Sequence, residues 1–179
     1  DLHEALKLGD RIAIMRDGEI VQIAEPEEIL SNPHDDYVRA FTKDASAARV
    51  FSAATVMDDP EVLLYRWQGP RVAQTELERH KREWAYMVDK KHHYLGICTR
   101  DHVNRLIKKG ERQINAADLV HPEPVAPDVV IEDLFGLVSE ESYPLPVTDA
   151  EGRLLGVVRP RAILGALYTP EEEEEASDA

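Results

Sequence analysis

Displaced by sixty residues, one stretch of this chain falls on another. Asp89 lands on Asp149, Leu95 on Leu155 and Gly96 on Gly156, and Tyr94-Leu95-Gly96-Ile97-Cys98 matches Leu154-Leu155-Gly156-Val157-Val158. Leu77 likewise matches Leu137, and Val103 matches Ile163. Such a repeat requires two similar supersecondary units in tandem. Each copy reads helix, strand, polar turn, strand, helix. The first places them at roughly 70–81, 84–88, 89–92, 93–99 and 100–109, the second at roughly 128–140, 145–148, 149–152, 153–158 and 160–168. Asp149-Ala150-Glu151-Gly152 has ordinary hairpin chemistry. A unit of about sixty residues buries little surface alone, so the two copies are expected to pack together in an α+β fold.

Ahead of the repeat the pattern changes. Leu2, Ala5, Leu6 and Leu8 sit near helical spacing, and Gly9 ends the run. Arg11 to Met15 reads as a strand, Arg16-Asp17-Gly18-Glu19 as a tight turn, and Ile20 to Ile23 as the returning strand. Asp-Gly between two β-rich runs signals a hairpin. Pro26 suits the first turn of a helix through Leu30, Asn32-Pro33 breaks it, and a second helix covers Asp36 to Thr42. Residues 44–49 lack large apolar side chains and read as a linker, while the acidic tail 170–179 has nothing to bury and reads as disordered. The segments are therefore 1–43, 44–49, 50–110, 111–169 and 170–179. The longest apolar stretches, such as Ala162 to Tyr168, fall far short of the roughly 20 residues that cross a bilayer. A single cysteine, Cys98, forms no internal disulfide, in keeping with a reducing compartment.

Two family resemblances meet on this frame. Asp1-Leu2-His3-Glu4-Ala5-Leu6, then Gly9-Asp10-Arg11-Ile12-Ala13-Ile14-Met15-Arg16-Asp17-Gly18-Glu19-Ile20 and Glu25-Pro26-Glu27-Glu28-Ile29-Leu30, resembles the end of ABC ATPase domains, where it follows the switch histidine. The repeat resembles CBS domains. Gly69-Pro70-Arg71, Tyr86-Met87-Val88 and Gly96-Ile97-Cys98-Thr99 are similar to the first CBS unit of glycine betaine/proline importer ATPases. The resemblances together cover residues 1–169. They imply a tandem CBS domain pair (a Bateman module) preceded by the C-terminal hairpin and helices of an ABC ATPase domain. They also imply a regulatory role, tuning a compatible-solute importer to osmotic or ionic conditions. The partners implied are a second copy in a homodimer, a permease subunit and a substrate-binding protein, at the cytoplasmic, inner face of the cell membrane. Nucleic acid is not expected. The sequence holds neither a Gly-x-x-x-x-Gly-Lys-Ser/Thr loop nor a Gly-rich signature, so no catalytic residue is expected. The resemblance assigns ATP and Mg to an N-terminal part of a longer parent protein.

The CBS family holds adenosine compounds with Gly-apolar-apolar-Thr/Ser-x-x-Asp, the hydroxyl on phosphate and the acid on ribose. By that resemblance Thr99 and His102 are candidates in the first copy, although His102 stands where the acid belongs. In the second copy Arg159 replaces the hydroxyl and Ala162 the acid. These departures argue against an ordinary adenosine site at either position. Arg159 and Arg161 are candidates for an anionic group, since guanidinium suits phosphate. An adenine nucleotide or cyclic dinucleotide sensor is the first alternative reading, and a purely structural dimerisation module the second. The five histidines at 80, 92, 93, 102 and 121 make no metal site: His92 and His93 face opposite sides of a strand, and no second ligand stands at helical spacing.

Charge adds one more candidate. Residues 44–110 carry net +3, against −5 for 1–43, −6 for 111–169 and −6 for the tail, within a net charge of −14. Lys81, Arg82, Lys90, Lys91 and Arg100 carry this excess, and an anionic membrane surface is the partner it suggests; the competing reading is an ordinary solvated face. Trp84, Tyr86, Met87 and Val88 read as core and unit-to-unit packing, and Trp67 as a buried anchor. Leu134, Leu137, Ile163 and Leu167 read as exposed apolar helix faces of a dimer surface.

Overall fold

The computed structural model describes residues 2–140 and 142–167. The expected acidic tail lies outside the described residues. Two compact units divide the chain, one formed by residues up to Phe51 together with those from Arg161 onward, the other by Ser52–Pro160.

In the first unit α1 (Leu2–Leu8) precedes a hairpin of β1 (Ile12–Arg16) and β2 (Glu19–Ala24), followed by α2 (Pro26–Ser31) and α3 (Asp36–Thr42). Asp17 (φ 53°) and Gly18 (φ 87°) both turn left-handed, which matches the twist of the strands they join. Asp35 caps α3 by accepting from the Val38 amide at 2.9 Å. Alternation on β1 sends Ile12 and Ile14 inward, where they meet Leu6, Ala24, Ile29 and Val38. Ala45 and Val50, on either side of a 3-10 turn at Ala47–Arg49, pack against this core.

The second unit begins with α4 (Ala53–Val56) and continues with β3 (Leu63–Tyr65), α5 (Pro70–Arg79), β4 (Trp84–Val88), β5 (Tyr94–Thr99) and α6 (Arg100–Lys109). The second copy supplies α7 (Ile131–Glu140), β6 (Leu145–Thr148), β7 (Leu154–Val158) and α8 (Pro160–Leu167), whose residues from Arg161 group with the first unit. Sheet order is β3-β4-β5, with β3 parallel and β5 antiparallel to the central β4. β4 is buried on both faces. Ala85 and Met87 join a cluster with Leu64, Ala73, Leu77, Cys98, Val103 and Leu106, whereas Tyr86 and Val88 meet Ile97, Leu154 and Val157. The second cluster holds the two copies together. Tyr86 also donates its hydroxyl to the Pro144 carbonyl at 2.6 Å, and Trp84 packs edge-on against Tyr86 and Tyr143.

The repeat is interlocked by two short straps. Asp58, ahead of the first copy, exchanges both backbone hydrogen bonds with Val157 of the second, at 3.0 and 2.9 Å. Val120, ahead of the second copy, does the same with Ile97 of the first, at 2.8 and 2.7 Å. Each copy thus closes the sheet edge of the other. The repeated glycines make room for these straps. A Cβ on Gly96 would lie 2.8 Å from the Val120 carbonyl, and one on Gly156 would lie 3.0 Å from the Asp58 carbonyl. At the far end the two hairpin turns pair through Tyr94 N to Gly152 O and Leu154 N to His92 O, each at 2.9 Å.

Three expectations need correction. Trp67 is 58% exposed, because β3 ends before it and the next segment turns away with Gln68 bonded back to Tyr65. Leu134 and Ile163 are buried, each on the inward side of its helix. Of the four apolar positions expected at the surface, Leu137 is exposed and Leu167 half-buried; Phe135 and Leu164 are the large apolar residues that α7 and α8 expose beside them.

Candidate functional site

Thr99 and Arg159 occupy equivalent places, each between the last strand of a copy and the helix that follows. Thr99 is the N-cap of α6. Its Oγ1 accepts from the His102 amide at 3.4 Å and lies 3.1 Å from His102 Nδ1. The two candidates of the first copy are therefore brought together and engaged with each other. A hydroxyl that serves as a cap satisfies a helix donor that would otherwise have no partner.

The second copy is built on charge instead. Arg159 is only 12% exposed, with NH1 3.0 Å from Asp58 Oδ2 and NH2 3.5 Å from Glu61 Oε1. Glu61 also pairs through Oε2 with Arg82, so one carboxylate bridges two guanidinium groups that lie 77 positions apart in sequence. Arg100 extends the network: it lies 3.1 Å from Glu83 and donates to the Arg82 carbonyl at 2.9 Å, and its buried Nε has no hydrogen-bond partner among the described residues. Arg161, in the first turn of α8, is exposed and forms no ion pair with any described residue. Asp58 and Glu61 were not singled out from sequence. Their nearest signal was the acidic group Asp58-Asp59-Pro60-Glu61, which alone does not say which cation it meets.

The basic residues of the first copy form two patches. Lys81, Arg82 and Arg100 lie where β4 begins and β5 ends, and Lys90 and Lys91 lie on the turn that joins these strands. Five residues of β4 at about 3.3 Å each separate the patches by about 16 Å, beyond the Debye length of about 8 Å at physiological salt. Lys90 and Lys91 share an open hollow of about 470 Å³ with Arg66, Trp67, Asp89 and His93. One face of Trp67 stacks on Tyr65, with ring centroids 4.6 Å apart. Asp89 organises the turn, its Oδ1 accepting from the amides of Lys91 (2.8 Å) and His93 (2.9 Å) while Oδ2 lies 2.8 Å from His93 Nδ1. The hydrogen bond from the His93 side chain draws the Asp89 carboxyl down to about 2. Asp149 repeats the arrangement with Glu151 and Arg153. Burial pushes the Cys98 thiol up to about 12, so it stays a packed, unreactive group. No group of metal-ligating side chains is found among the described residues.

Comparison with known proteins bears on both parts of the chain. The CBS domain family model matches residues 116–169. Glycine betaine transport ATP-binding protein OpuAA of Bacillus subtilis is 36% identical over 169 residues, covering 93% of this chain and 40% of that protein. Glycine betaine/proline betaine transport system ATP-binding protein ProV of Salmonella typhimurium is 35% identical over 170 residues, covering 93% and 42%. The chain thus spans about two fifths of the length of these relatives. Among solved structures, Staphylococcus aureus OpuCA aligns with a TM-score of 0.54 at 19% identity over 63% of this chain and 96% of that one. A CBS domain pair/ACT domain protein from Thermotoga maritima aligns with a TM-score of 0.55 at 19% identity over 65% and 96%. At these identities the structures speak to the fold, which is that of a CBS pair.

Proposed function

We propose that this chain, which matches glycine betaine transport ATP-binding proteins over 93% of its own length and carries a CBS domain, is part of the ATP-binding subunit of an ABC importer for compatible solutes such as glycine betaine or proline and regulates it, tuning transport to osmotic or ionic conditions. The observation that carries this reading is the ion-pair network around Arg159. It stands where CBS pairs place a nucleotide-binding hydroxyl, and it ties the strap of the first copy to the end of the second. Its carboxylates are partly exposed, and ion pairs in contact with solvent weaken as salt rises. The module supplies no catalytic group. In this reading ATP and Mg act elsewhere in the subunit, which works as a homodimer with a permease and a substrate-binding protein at the cytoplasmic face of the membrane. The test is uptake by the whole transporter against external osmolarity, with and without residues 50–179. The regulatory reading expects transport that persists but no longer follows osmolarity. Uniform loss at every osmolarity would overturn it in favour of a structural role.

A membrane contact is favoured by the hairpin hollow. Arg66, Lys90 and Lys91 form no ion pair with any described residue and surround the exposed Trp67, an aromatic type that suits the headgroup layer. Each cation close to an anionic surface contributes about 1 kcal/mol at low salt. Arg82 and Arg100 are already paired with Glu61 and Glu83, so they contribute little. Sedimentation with anionic vesicles over a salt series tests this contact. Binding is expected at low salt, with loss when Lys90 and Lys91 become Ala; binding unchanged in that variant refutes it.

A further inference from the structure

The two hairpin turns are alike in backbone and different in charge. Asp89 and Asp149 each accept from the amides two and four residues on: Lys91 (2.8 Å) and His93 (2.9 Å) in the first turn, Glu151 (3.1 Å) and Arg153 (2.8 Å) in the second. Each turn also closes through the same main-chain bond, from the Asp89 amide to the His93 carbonyl and from the Asp149 amide to the Arg153 carbonyl, both 3.1 Å. The side chains on this shared frame diverge. Where the first turn has Lys90 and Lys91, the second has Ala150 and Glu151. The partner of the aspartate side chain differs as well. Arg153 Nε lies 2.6 Å from Asp149 Oδ2 and is permanently charged. His93 Nδ1 lies 2.8 Å from Asp89 Oδ2, and an imidazole carries a charge only when protonated. The first turn thus holds a conditional ion pair where the second holds a fixed one.

We propose that His93 sets how strongly the Lys90-Lys91 turn holds an anionic phospholipid surface, its protonation freeing the two lysines from the opposing charge of Asp89. This rests on the membrane contact read from the hairpin hollow, and adds to it a dependence on pH. His93 lines that hollow and its side chain is 35% exposed, so protons and headgroups reach it. Asp89 stays ionised across the range in which imidazole titrates, since its carboxyl lies near 2. With a neutral imidazole, Asp89 offsets one of the three cations Arg66, Lys90 and Lys91, and the hollow carries net +2. With an imidazolium, Asp89 is balanced within the turn and the hollow carries net +3. The other charges facing His93 leave this balance unchanged. Arg153, its partner across the bridge between the turns, is paired with Asp149 and Glu151. His92, on the same turn, is exposed and is not among the residues that line the hollow.

The test is sedimentation of the 179-residue chain with vesicles of phosphatidylglycerol and phosphatidylcholine at low salt. Binding is measured at about pH 5.5 and about pH 8, between which imidazole titrates and a phosphodiester headgroup does not. The wild type is expected to bind about fivefold more tightly at the lower pH, the gain that one added cation brings at an anionic surface. His93→Gln is expected to lose that gain, and His92→Gln to keep it. His93→Arg copies the aspartate–arginine pair of the second turn, and is expected to bind at both pH values as tightly as the wild type does at the lower one. The amide bonds to Asp89 do not involve the imidazole, so the turn persists in these variants, and a melting curve for each verifies this. A gain that survives in His93→Gln overturns the proposal alone, as does a His93→Arg variant that binds no better than the wild type at the higher pH. Absence of binding at both pH values overturns the membrane reading and this proposal with it.

Discussion

A methyl group added at Gly96 has nowhere to go. It would sit 2.8 Å from the Val120 carbonyl and 2.9 Å from Leu119 Cβ, on a residue whose φ of +136° L side chains rarely adopt. At Gly156 the nearest atom is Met57 Sδ at 2.9 Å, the far end of a flexible side chain, and no positive φ adds strain. Gly96→Ala is therefore expected to cost about 2–4 kcal/mol and Gly156→Ala about 1–2, read from urea unfolding. Equal costs would mean that the left-handed backbone at Gly96 adds no strain beyond the strap contact that both glycines share. Asp89 yields a second expectation. Its carboxyl titrates near 2 rather than 3.8, held there first by the His93 side chain, so its contribution to stability is present above pH 3.8 and lost as pH falls toward 2. The gap in melting temperature between wild type and Asp89→Asn should accordingly close across that window; a constant gap refutes the assignment. The sixty-residue spacing made Gly96, Gly156, Asp89 and Asp149 visible. It did not disclose why glycine is needed, because the strap that crowds it arrives from elsewhere in the chain. Trp67 was misread for a related reason: nothing local distinguishes an aromatic that begins a buried helix approach from one on an outward turn.

At the scale of elements, the helices and hairpins were largely legible. Observed β4 (Trp84–Val88), β6 (Leu145–Thr148) and α6 (Arg100–Lys109) fall where periodicity and turn chemistry place them. What periodicity missed is short and paired at a distance. β3 has three residues, too few to show alternation, and exists because it lies parallel to β4 through Leu63↔Tyr86 to Tyr65↔Val88. Its counterpart in the second copy shrinks to one parallel bridge, Val125↔Val147, with Val125 N on the Pro146 carbonyl at 2.9 Å. The straps at Asp58 and Val120 likewise carry no pattern of their own. Because each strap is bonded to the opposite copy, the two copies are expected to open together rather than one at a time. Hydrogen exchange checks this: the amides of Asp58, Ile97, Val120 and Val157 should share one opening free energy. Two separate values, Asp58 with Val157 and Ile97 with Val120, would show that the straps open separately.

For the whole molecule, the apolar surface left over after folding decides how copies meet. Sequence suggested Leu134, Leu137, Ile163 and Leu167 as one exposed set, but period alone does not say which of neighbouring apolar positions turns inward when a helix is apolar on more than one side. Leu134 lies beneath α7, fully buried, while Phe135 and Leu137 are each 43% exposed on it. Acidic Glu132 and Asp133 occupy its first turn, so the exposed apolar area lies past them along the helix. Two such side chains together with other partly covered apolar atoms stabilise an association only if they are desolvated, at about 25 cal/mol per Å² of apolar surface removed from water. A homodimer through α7 is therefore expected to be concentration-dependent. Light scattering should find the wild-type chain dimeric at high concentration, and Phe135→Asp with Leu137→Asp should shift it to monomer. Each residue is 43% exposed in the single chain, so the melting temperature of the monomeric variant should fall by what dimerisation contributes together with the loss of their covered apolar surface. A wild-type chain that stays monomeric over the whole concentration range removes the homodimer from this part of the molecule, and a variant that unfolds outright places the two residues in the core instead.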